Sequence, residues 1–198
     1  MCILRCTHSA RYRQDMRDHL AKKNTLKQLH RWISLMQHVI DAKYYIKRTE
    51  ELAHPHSMQT FDDIWGVLLA FRGAIISYAK CFASAGKGKI RLEKATVFAA
   101  NPELKAQHQR IIDLRNKYVA HSDDNEMERT SIDTNDTPSE LVIRLSYEVS
   151  FPFDRMYELR ELIKHLDQYV ADRLGRHVKA IERQIGKPVR VLQGSGVL

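Results

Sequence analysis

Glycine and proline are scarce in this chain of 198 residues, eight and five respectively. An all-β fold built from many tight turns needs more of both. Cysteine is scarcer still: Cys2, Cys6 and Cys81 are an odd number and outline no disulfide framework. Cys2 and Cys6, even with His8, match no zinc spacing, and neither does the lone pair His54 and His56. Long apolar runs are missing as well. The longest, Val67 to Phe71, falls far short of the roughly 18 residues of a membrane span. The first residues carry Arg5, Arg11, Arg13 and Arg17 without the apolar core of a signal peptide. These absences predict a soluble cytoplasmic protein with no membrane partner, no cofactor and no metal.

What is present is an ordinary globular composition, 43% apolar and 28% charged, with a formal charge of +8. The charge is unevenly spread. Residues 1–48 hold eleven Lys and Arg against three acids, whereas residues 123–154 hold nine acids against Arg129 and Arg144. A basic first segment and an acidic later one suit an anionic partner or pairing within the molecule.

Apolar spacing predicts the elements. Leu26, Leu29, Ile33, Met36, Ile40 and Tyr44 stripe a helix from Thr25 to about Ala53. A second helix spans about Thr60 to Ala83, with Leu68, Leu69, Ile75 and Ile76 on one face. Arg91 to Ala99 suits a short helix, and Gly86-Lys87-Gly88-Lys89 is too short for a phosphate-binding loop. Asn101-Pro102-Glu103 is a helix start, opening a third long helix to about His121. Leu141, Ile143, Leu145, Tyr147 and Val149 alternate with polar positions, as in a half-buried strand pairing with Met127–Asp133. A last helix runs from about Phe153 to Gln184 and stops at Gly186-Lys187-Pro188.

The expected fold is all-α: an antiparallel four-helix bundle with a small β hairpin inserted between the third and fourth long helices. The expected organisation is a basic arm over 1–22, the bundle over 23–186 with its hairpin at about 126–150, and a tail over 187–198. A hairpin is marginal alone and must dock on the bundle or on a second subunit.

Two arginines break the pattern. At roughly 100° per residue, Arg72 lies about 20° from Phe61 on the second helix, and Arg115 about 20° from Leu104 on the third. Both therefore fall on apolar faces. An unpaired buried charge costs several kcal/mol, so each needs an acid such as Asp167, access to water, or an anion to hold. Around the second runs Arg115-Asn116-Lys117-Tyr118-Val119-Ala120-His121. On a continuous helix Arg115 and His121 are about 240° apart, so they share a pocket only if the helix ends or unwinds near Ala120. A guanidinium for the anion and a titratable histidine for the proton suit phosphodiester chemistry.

That string resembles the R-N-x-x-x-x-H signature, a form of R-x(4–6)-H, of the HEPN superfamily, and within it the branch of phage abortive-infection and toxin–antitoxin proteins. The resemblance covers about Thr25 to Gln184. It implies a four-helix core and a homodimer whose Arg and His meet in a shared cleft. It also implies metal-independent RNA cleavage leaving a 2′,3′-cyclic phosphate and a 5′-hydroxyl. On that likeness the catalytic residues would be Arg115 on the phosphate, His121 as general acid and base, and Asn116 as an orienting group. Lys117 and Tyr118 would sit on the substrate side, joined by Arg72 on angular grounds.

Three readings follow. The first is a dimeric RNA endonuclease of the host-defence or toxin type, with an antitoxin protein as possible partner. The second is a non-catalytic module binding RNA, a nucleotide or a protein, using basic residues such as Arg31, Lys43 and Lys47. The third is a structural dimer. Trp32 and Trp65 fit core or dimer-interface positions, and Tyr44-Tyr45 suit packing or base stacking.

Overall fold

The computed structural model of the chain describes residues 6–54, 58–83, 90–119 and 128–190. It contains five α-helices and one hairpin: α1 (Cys6–Leu52), α2 (Phe61–Lys80), α3 (Lys94–Val97), α4 (Pro102–Leu114), β1 (Glu128–Asp136), β2 (Leu141–Val149) and α5 (Phe153–Ile185). A turn of π-helix, Arg115–Val119, continues α4.

Helix ends follow local chemistry. Thr60 caps α2 in a reciprocal box: its hydroxyl accepts from the Asp63 N–H, and the Asp63 carboxylate accepts from the Thr60 N–H at 2.9 Å. Hydrogen bonds from Thr60 hold the Asp63 carboxyl below its ordinary pKa. Asn101 caps α4 by accepting from the Leu104 N–H at 3.0 Å, with Pro102 behind it. Gly186 closes α5 at φ +65°, a left-handed conformation that glycine adopts without penalty.

The core is built along α1. Trp32, Leu35, Val39, Ala42, Ile46, Thr49 and Ala53 are all buried. They alternate spacings of three and four, the seam of a helix lying nearly parallel to its neighbours. Against this seam pack α2, through Val67, Phe71, Ala74, Ile75 and Tyr78, and α5, through Leu159, Leu162, Ile163, Leu166 and Val170. The approach of α1 to α2 is close. A β-carbon on Gly73 would lie 2.8 Å from the Tyr45 ring, so only glycine fits there.

The four-helix bundle is overturned. Among the described residues there are five α-helices, with the hairpin after the fourth. The expected third long helix stops being α-helical at Leu114, and only His108 and Ile111 of α4 are buried. Thirteen residues with two buried positions cannot supply a fourth full stripe. The rest of that side of the core comes from Leu92, Val97 and Phe98, in and around α3.

Two finer expectations also change. On α1 the anticipated stripe divides: Met36 packs against the core and Leu29 is half-buried, whereas Leu26, Ile33 and Ile40 are each nearly half exposed and Tyr44 more so. The backbone helix also begins at Cys6, not near Thr25. The strand expected to be half-buried is mostly exposed, with Leu141 and Ile143 at 58% and Leu145 at 75%. The hairpin pairs antiparallel, Ile132 opposite Leu145 and Thr130 opposite Tyr147, and turns through Thr137–Glu140. It meets the helices at its root, where Tyr147 approaches Phe61 and Trp65 edge-on and Val149 packs near Leu68. Among the described residues no helix is long and apolar enough to cross a membrane.

Candidate functional site

The π turn positions the motif. In π winding the backbone bonds close i to i+5, which lowers the rotation per residue and re-aims the side chains that follow; such turns gather at functional sites. Arg115 stands where α4 passes into it, its N–H donating to the carbonyls of Ile111 and Ile112. Its side chain is exposed, not set in the core as the angular count suggested, and its Nη1 donates to Asn116 Oδ1 at 3.0 Å. The change of winding begins at Arg115 itself, so the 240° separation does not apply beyond it.

Arg115 and Asn116 line a cavity of about 430 Å³ between the C-terminal end of α2, residues 91–94 and α4. Lys80, Arg91 and Lys94 bring three more cations to it. The one carboxylate among the lining residues, Glu93, is 3.7 Å from Arg91. Lys94 Nζ donates to Gln109 Oε1 at 2.9 Å. Ile76, Phe82, Leu92 and Ile112 supply apolar wall. Four cations against one acid give a local field that attracts anions, and apolar walls strengthen it.

The least exposed polar lining residue is His108, 3% exposed. Burial, with the Lys94 charge, pushes its pKa down to about 4, so its ring is neutral at pH 7. Nδ1 lies 2.7 Å from the buried Tyr78 hydroxyl, and burial pushes that phenol's pKa well up. Either ring tautomer satisfies this contact: the phenol donates to a bare Nδ1, or Nδ1–H donates to the phenol oxygen. His108 is thus neutral and ill-suited to take a proton near pH 7.

The remaining expected site residues scatter. Lys117 is exposed and does not line the cavity. His121 and the side chain of Tyr118 lie outside the described residues. Arg72 is half-buried, its guanidinium carbon 5.4 Å from the centre of the Trp65 ring. It lies one turn from Ile76 on α2 without lining the cavity itself. Asp167, the acid suggested for these arginines, joins Lys43 at 2.6 Å. Lys47 and Arg48 both approach Glu51, so part of the basic charge on α1 is neutralised locally. Cys2 and His56 also lie outside the described residues, and Cys81 is a buried thiol whose pKa burial pushes up to about 12.

Sequence reasoning missed Lys80, Arg91, Lys94 and His108. A signal existed: residues 80–94 hold five cations, Lys80, Lys87, Lys89, Arg91 and Lys94, against Glu93. It was averaged away because the 150 residues after Arg48 sum to zero charge. A second, more open depression of about 550 Å³, between the start of α4 and α5, carries Glu103, Glu161 and Asp167 against Lys164 and does not suit an anion.

No family model matches the chain, and neither a curated protein nor a solved structure matches it.

Proposed function

We propose that this protein is a metal-independent RNA endonuclease of the HEPN type, acting as a homodimer in host defence or in a toxin–antitoxin pair. One observation carries the reading. The Arg and Asn of the R-N-x-x-x-x-H string line a four-cation cavity at a π-wound turn. In this reading Arg115, with Arg91 and Lys94 nearby, holds the scissile phosphate and stabilises the charge that builds on it. His121 takes the proton of the ribose 2′-hydroxyl as that oxygen attacks phosphorus. The bond from phosphorus to the 5′-oxygen breaks, and a proton is returned to the leaving oxygen. The products are a 2′,3′-cyclic phosphate and a 5′-hydroxyl, and no water is consumed. A neutralising antitoxin belongs to the toxin version of the proposal.

The test is cleavage of a mixed RNA substrate in EDTA by wild type and by His121→Ala at equal folded concentration. The proposal expects cyclic-phosphate ends from wild type alone. If neither protein cuts while both bind RNA in a salt-sensitive way, catalysis is ruled out and the cavity is an anion-binding site in a non-catalytic module.

A further inference from the structure

Sixteen large apolar residues stand exposed among the described residues, and eleven of them fall in two places. Five lie on α1: Leu26, Ile33, Ile40, Tyr44 and Tyr45. Six lie on the hairpin, and Ile132, Leu141, Ile143 and Leu145 of these share one of its faces. Both surfaces are apolar yet exposed among the described residues. At roughly 100° per residue, the line through Leu26, Ile33, Ile40 and Tyr44 runs about 160° around α1 from the buried seam. It is a second apolar stripe on the far side of the helix. The hairpin has the opposite problem: two strands alone are marginal in water, and beyond its docked root the apolar face is exposed among the described residues.

The two surfaces carry opposite charge. Over residues 24–52 of α1 five Lys and Arg stand against three acids, and Lys47 and Arg48, which flank the outer stripe, share the one carboxylate of Glu51. Residues 128–149 hold five acids against two arginines, and Asp136 shares the apolar face. A helical stripe laid on a sheet face is a common way for each to leave water.

We infer that this surface pair joins two copies of the chain, the hairpin of each lying across the outer stripe of α1 on the other. The contact joins unlike patches, so it closes into a dimer only when made reciprocally; otherwise it propagates as a filament. Made twice, it removes on the order of 2,000 Å² from water, the size of a stable interface. The inference stands whether or not the protein cuts RNA.

Sedimentation velocity on the full chain at about 10 μM tests it, with circular dichroism as the fold control. Wild type is expected to run as a dimer. Leu145→Asp and Ile40→Asp alter exposed side chains, so each is expected to fold and run as a monomer, with Kd raised at least about 30-fold. Charge reversal then fixes the pairing. Asp136→Lys with Glu140→Lys weakens the dimer, Lys47→Glu with Arg48→Glu does the same, and the two sets combined restore it. A monomeric wild type, an open polymer, or a dimer lost on altering one surface but kept on altering the other overturns the inference. The last outcome identifies pairing of hairpin with hairpin or of helix with helix.

Discussion

Val39 and Ile40 are adjacent in the chain and similar in chemistry, yet one is fully buried and the other 45% exposed. They belong to two apolar stripes on opposite sides of α1. The inner stripe, from Trp32 to Ala53, organises the core against α2 and α5. The outer one, from Leu26 to Tyr44, faces away from it. Periodicity reports that a helix has a face to bury. It does not report which face its own chain will cover, because that depends on elements far away in sequence.

Breaking the contrast between the stripes has the largest effect. Val39→Asp places a charge where nothing can solvate it and is expected to cost about 4–5 kcal/mol, enough to unfold the chain. Ile40→Asp is expected to leave the monomer's denaturant midpoint nearly unchanged. Urea titration of both variants, followed by far-UV circular dichroism, measures the difference.

The buried side also has a polar member. The folded-state pKa of His108 is depressed to about 4 from the ordinary 6.5, so the unfolded chain binds the extra proton between those values. Stability is therefore complete above about pH 6.5 and falls as the pH drops towards 4, by up to roughly 3 kcal/mol. His108→Gln should flatten that segment of a plot of stability against pH, at some loss of stability at pH 7.

Two glycines sharpen the contrast at smaller scale. Gly73 faces the Tyr45 ring at the junction of α1 and α2, whereas a β-carbon on Gly175 in α5 would meet nothing within 4 Å. Gly73→Ala is expected to destabilise by about 1–2 kcal/mol despite alanine's helix preference. Gly175→Ala should stabilise by up to about 1 kcal/mol. Thermal melts of the two variants side by side give opposite signs if the packing is as described.

Local signals were legible wherever chemistry acts over a few residues. Asn101 and Pro102 start α4, Gly186 ends α5, and the alternation over 141–149 is a strand. What could not be read was set by distant packing or by a change of winding. The spacing that put Arg115 in line with Leu104 holds along α4, but at that end of the helix the line opens onto the cavity instead of packed side chains. The hairpin's alternation implied a covered face, but among the described residues most of that face is exposed. At the candidate site the motif found Arg115 and Asn116. Lys80, Arg91 and Lys94 join them only because α2, residues 91–94 and α4 meet in space.

The central claim is that the cavity around Arg115 acts on RNA, and one comparison tests it most directly. Cleavage of a single-stranded RNA in EDTA is measured for Arg115→Ala beside Arg176→Ala, which removes an exposed cation on α5 that does not line the cavity. The account predicts a loss of about 100-fold or more for Arg115→Ala, with Arg176→Ala within about twofold of wild type. Equal losses from both variants, or full activity in Arg115→Ala, contradict it.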